Sequence, residues 1–175
     1  MTPQRTATGP APVDERVSRK SDPYLEGIVA GTIGAATVAV WFLILDTIKG
    51  RPLYTPSVLG TAFFRPRVAP PLPESLQISF ELVLVYTWVH WMVFCVIGEA
   101  ASLLLRKAER NPDLGFGILL LFVVFEFGFL VVAMLFAEAI LRAIAWQEIL
   151  LGNLIAAAVM AAYFWLRHPG LTIRP

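Results

Sequence analysis

GIVAGTIGAATVAVWFLIL, Gly27–Leu45, is nineteen residues long and carries no charge. Coiled as an α-helix at about 1.5 Å per residue it reaches close to 30 Å, the thickness of a bilayer's hydrocarbon core. Apolar on every side, the segment has no polar face to turn toward water. It reads as a helix that crosses a membrane.

Outward from this stretch the same reading recurs three times. Leu76–Leu105 is longer and contains Glu81, His90 and Glu99. Leu114–Leu141 contains Glu126 and Glu138, and Ile149–Leu166 follows directly on Glu148. The expected fold is an all-α membrane protein: a four-transmembrane-helix bundle with a long outer loop that contains a short interfacial helix. Spans are placed at about 25–47, 76–105, 114–142 and 147–167, within a transmembrane domain over 24–168. Residues 1–23, polar, charged and proline-containing, read as a disordered cytoplasmic tail, and 169–175 as a cytoplasmic C-terminal tail. Composition agrees, because 57% of the chain is hydrophobic and 15% charged, against about 25% charged in a soluble domain.

Four spans would put both termini and the second connection on one side. That side holds Arg5, Arg16, Arg19, Lys20, Arg106, Lys107, Arg110, Arg167 and Arg174; the other holds Lys49, Arg51, Arg65, Arg67 and Arg142. Nine basic residues against five orient both termini toward the cytoplasm. The expected location is the bacterial inner (cytoplasmic) membrane, crossed several times. A net charge of +1 gives no electrostatic reason to expect nucleic acid as a partner. The lipid bilayer is the expected partner, with other membrane proteins or a second copy of the chain beside it.

The first connection, Lys49–Pro73, is apolar for a loop and rich in proline. Thr55-Pro56 predicts a helix start, with threonine as cap and proline at the first helical position. Val58, Leu59, Ala62 and Phe63 then recur at helical spacing, and Arg65-Pro66 and Pro70-Pro71 end the turn. Such a helix would lie flat in the interface or over the bundle, as a re-docking loop or as a lid or docking patch.

Lipid is as apolar as leucine, so small residues that allow backbones to approach decide helix pairing. Gly27, Gly31, Ala35 and Ala39 recur every fourth residue and form the expected packing seam. Packing within one bundle and self-association of this helix both remain open.

Ionisable groups at membrane depth need partners, since each costs at least ~2.5–3.5 kcal/mol near the centre. His90 and Glu126 fall near the middle of their spans, on sequential antiparallel helices, and are expected to form an intramembrane polar pair. Asp46, Glu81, Glu138 and Glu148 gather at the outer face. Arg142, one turn after Glu138, is its expected ion-pair partner, and Lys49 stands similarly to Asp46. Partnered rim charges, rather than a divalent cation, is the favoured account, and no metal site is assigned.

Enzyme chemistry finds little support. One cysteine and two histidines exclude a Cys/His zinc site within the chain. There is no Glu-x-x-His pair for a di-metal centre, no Walker loop and no dinucleotide fingerprint. A second imidazole for haem would have to come from His168, beyond the end of the last span, or from another copy. No catalytic residue and no cofactor is expected.

WFLILDTIKGRPLYTPSVLG, Trp41–Gly60, and the mid-helix histidine of YTWVHWMVFCVIGEAASLLL, Tyr86–Leu105, resemble small bacterial four-helix integral membrane proteins. The resemblance covers the first two helices and their loop, through Gly-x-Pro-Leu-x-Thr-Pro-x-x-Leu-Gly. It implies the fold and no particular activity. The function expected is that of a structural or complex-forming membrane subunit. The alternative is small proton- or ion-coupled transport through the Glu126–His90 pair.

Overall fold

A computed structural model describes residues 22–65, 78–110 and 145–168. The third expected span, Leu114–Leu141, lies outside the described residues, as do Glu126, Glu138 and Arg142. Within them the chain forms four helices and no strand: α1 (Pro23–Ile48), α2 (Tyr54–Phe64), α3 (Phe80–Arg110) and α4 (Trp146–Arg167). Three of these, α1, α3 and α4, are long and apolar enough to cross a membrane; α2, with 11 residues, is too short.

Each boundary has a local cause. Asp22 accepts from the Tyr24 amide at 3.1 Å, and Pro23 occupies the first turn of α1, where its missing donor costs nothing. After α1 the backbone reverses through two left-handed residues, Gly50 at φ 69° and Leu53 at φ 66°. Glycine takes that conformation freely, whereas leucine adopts it at a cost. At the far end Pro169 disfavours helical backbone at the residue before it. The helix accordingly stops at Arg167, and His168 sits at the C-cap with φ −126°.

α1 is the central element, with α3 and α4 both packed against it. On α3, Gly98 meets Gly27 and Gly31, while Cys95 and Phe94 meet Gly31. The numbering rises on α1 as it falls on α3, so the two run antiparallel. α4 is also antiparallel to α1: Met160 lies at Gly34, Gly152 at Trp41, and Glu148 at Lys49. α3 and α4 therefore run parallel to each other.

The α1–α3 contact is backbone on backbone. A Cβ at Gly31 would fall 2.6 Å from the Cys95 Cα, and one at Gly98 would fall 2.7 Å from the Gly31 nitrogen and closer still to the Gly27 carbonyl oxygen. Only glycine permits this approach, which gives the dispersion contact that holds helices together in lipid. Ala35 is buried as well, but Ala39 is exposed, which departs from the expected four-residue seam. A four-residue step advances about 40° around a helix, so by Ala39 the row has rotated out of the interface. The buried face of α1 recovers with a three-residue step from Ala35 and continues through Val38, Phe42 and Asp46.

Two apolar clusters follow. Val38, Phe42, Tyr54, Val58 and Ala156 bring α1, α2 and α4 together. Ala30, Met160 and Phe164, with Phe94, Ile97, Ala101 and Leu105 against them, join α1, α4 and α3. α2 lies over the bundle, where its Gly60 faces the Leu82 carbonyl of α3. Its buried face is Tyr54, Thr55, Ser57, Val58, Gly60 and Thr61, while Phe63 at its end is exposed. The expected apolar row thus gives way to a face half made of hydroxyls. Helical residues bond such hydroxyls back to the preceding turn, as Thr61 does to the Ser57 carbonyl at 2.8 Å.

Candidate functional site

The polar residues collect at three levels of the bundle. At the end where α1 finishes, Asp46 is 3% exposed. Its carboxylate accepts from the Thr55 amide at 2.7 Å and from the Thr55 hydroxyl at 2.9 Å. Asp46 thereby serves α2 as an N-cap from outside the helix, because the residue in the cap position, Leu53, has no side-chain acceptor. This corrects the expectation that Thr55 caps: α2 begins at Tyr54, and Thr55 donates rather than accepts. Lys49, expected beside Asp46, instead reaches Glu148 on α4, with Nζ to Oε1 at 2.5 Å and to Oε2 at 2.7 Å. The Trp41 indole donates to the Glu148 carbonyl at 3.0 Å. Glu81 is exposed in the first turn of α3, where the helix dipole favours a negative charge. Among the described residues no group of three potential ligands could hold a metal ion.

In mid-bundle, Thr32 of α1 accepts from the Trp91 indole at 3.0 Å while donating to the Ile28 carbonyl at 2.8 Å. Cys95 lies 4.0 Å from the same hydroxyl. Five residues before Cys95, the His90 ring packs between Tyr86 and Phe94, with centroids 5.9 and 4.8 Å away, and reaches the Ala35 backbone. Its buried Nε2 has no partner among the described residues. His90 thus lies in the α1–α3 contact. The pairing expected with Glu126 lies outside the described residues.

The third level, at the opposite end of α1, was not singled out in the sequence. Glu26, 4% exposed, meets the Nε2 of His168 at 2.7 Å. The Nδ1 of the same ring meets Glu109 of α3 at 2.6 Å, and Arg106 approaches Glu26 at 4.0 Å. Three helices are thereby tied by one imidazole. Glu26 and His168 are 142 residues apart. The available signal was coarse: alternating helices bring the start of α1, the end of α3 and the end of α4 to one end of the bundle, and each carries a titratable group there.

Among the described residues, three helices of this length and apolarity and the absence of any strand are what an all-helical membrane protein presents. No protein family matches the chain, and no curated protein and no solved structure matches it.

Proposed function

We propose that the protein is a four-crossing inner-membrane protein with both termini in the cytoplasm, acting as a structural or complex-forming subunit rather than an enzyme. The parallel course of α3 and α4 supports the crossing number. The described part of α3 ends at one end of the bundle and α4 begins at the opposite end, and residues 111–144 lie between them in the sequence. As a helix, 34 residues would reach about 51 Å, ample for a core of about 30 Å.

The observation that carries the functional reading is the use of the polar end groups. Asp46 is engaged by Thr55, Glu148 by Lys49, and Glu26 and Glu109 by His168, each a contact between elements. Along α3 one outward row is apolar: Phe80, Leu84, Trp88, Met92 and Val96 recur every fourth residue and are all exposed. That face suits lipid or another membrane helix. The deciding experiment is purification in mild detergent with the mass and visible spectrum of the particle recorded. A stable larger assembly of defined stoichiometry is the expected result; a lone monomer that moves protons in liposomes would overturn the reading.

One observation favours a second reading, small proton- or ion-coupled transport. The Nε2 of His90, without a hydrogen-bond partner among the described residues, leaves a titratable nitrogen in the interior of α3, where a relay with Glu126 would need one. His90→Asn combined with Glu126→Gln keeps hydrogen-bonding groups and removes both titrating ones. Retention of function in that double variant supports the structural reading, and its loss with the fold intact supports transport.

A further inference from the structure

The geometry points to a proton-binding site at the end of the bundle that bears the start of α1: the Glu26–His168–Glu109 bridge, which we propose fastens three helices only while it holds its proton. The inference follows from donor counting. An ionised carboxylate only accepts hydrogen bonds, and a neutral imidazole has one donor and one acceptor nitrogen. His168 places one ring nitrogen 2.6 Å from Glu109 and the other 2.7 Å from Glu26. With one ring proton, a lone pair would face a carboxylate oxygen across one of those two gaps. A second proton must sit in the bridge for both contacts to be bonds. Arg106 adds a further cation, 4.0 Å from the far oxygen of Glu26, to a bridge in which an imidazolium would lie between two acids.

The other charged group beside the ring is Arg167, the preceding residue of α4, whose guanidinium lies over Tyr163 at 5.7 Å. Among the described residues the groups facing His168 are therefore Glu26 from α1, Glu109 and, through Glu26, Arg106 from α3. The site is built into the structure: the Glu26 side chain is 2% exposed and that of His168 16%, while Glu109, at 40%, opens the bridge to water. A proton can enter from the Glu109 side. Its departure removes one of the two bonds, and with it the link through His168 to α1 or to α3. The clasp is closed while the bridge holds its second proton and loosens when that proton leaves.

The chain has two histidines, so the full-length protein labelled with 15N-histidine in lipid nanodiscs gives two ring systems. His168→Gln identifies which belongs to the clasp. In the wild type at mildly acid pH, both nitrogens of His168 should show attached protons. Glu26→Gln, whose amide can bond a neutral ring, should weaken proton binding at His168 at least tenfold. Glu109→Gln, at the wetter end, should weaken it in the same direction and serves if the buried variant folds poorly. Unchanged His90 resonances report an intact bundle. A His168 titration identical in the wild type and both variants would overturn the proposal, as would a ring with a single proton throughout the acid range. The measurement needs no partner and no flux, so it stands apart from the functional reading.

Discussion

At Gly98 the space for a side chain is already occupied by the Gly27 carbonyl. Neither partner of that contact is the mobile end of a side chain, so a substitution must push two helix backbones apart. Gly98→Val and Gly31→Leu should each lower stability by about 1–3 kcal/mol, the usual cost of overpacking, or more if the helices separate. Ala39→Leu, on an exposed surface of the same helix, should be close to neutral. Thermal denaturation of the purified variants separates these outcomes; equal losses at Gly31 and Ala39 would contradict the rotation of the seam. The same scale governs Asp46. Asp46→Ala removes both bonds to Thr55 and should cost about 1–2 kcal/mol, as loss of an N-cap does. Asp46→Asn keeps a carbonyl acceptor and should cost less. The seam was readable as a spacing of small residues, whereas the position at which it leaves the interface was not, because a four-residue repeat does not match 3.6 residues per turn. The capping role of Asp46 was hidden for another reason: it depends on a reversal through two left-handed residues, one of them a leucine, which the sequence does not announce.

Between elements, the contacts at the two ends of α1 differ in depth and should differ in energy. Lys49 and Glu148 have side chains 37% and 25% exposed, so water and salt compete for them. A double-mutant cycle with Lys49→Met and Glu148→Gln should give a coupling of about 0–1 kcal/mol, shrinking as ionic strength rises. A coupling several times larger, unaffected by salt, would mean that the pair is far better shielded than its exposure indicates. α2 is held more firmly than a surface turn: Val58 is fully buried and Ser57 is 2% exposed. Ser57 would therefore be a silent labelling site although it lies in a connecting segment. The existence of a short helix around Thr55-Pro56 was legible from its spacing and breakers. Its buried face was not, since that face is chosen by the groove between α1 and α3 and includes hydroxyls that no apolar pattern marks.

For the whole molecule, the parallel arrangement of α3 and α4 makes a prediction about sidedness. Lys107 and Ala145 flank the undescribed segment, and both are exposed. In a Cys95→Ser background, cysteines at these two positions should react with a membrane-impermeant reagent from opposite sides, Lys107 from the cytoplasm and Ala145 from outside. A cysteine replacing Arg65, exposed after α2, should match Ala145. Reaction of Lys107→Cys and Ala145→Cys from the same side would remove the return crossing, and with it the four-crossing architecture.

By itself the sequence determined that the described chain is helical, where its membrane-length helices lie, and that small residues line one side of α1. These are local properties: the length of an apolar run, the spacing of glycines, and a proline or aspartate at a helix end each act within a few residues. Only the tertiary structure decided which side chains meet. Glu26 with His168, His168 with Glu109, and Lys49 with Glu148 join residues 142, 59 and 99 positions apart. Each depends on the rotation of one helix about its axis relative to another. That rotation is set by the summed packing of whole faces, in which a change of one residue step turns a side chain by about 100°, and no single stretch of sequence carries it.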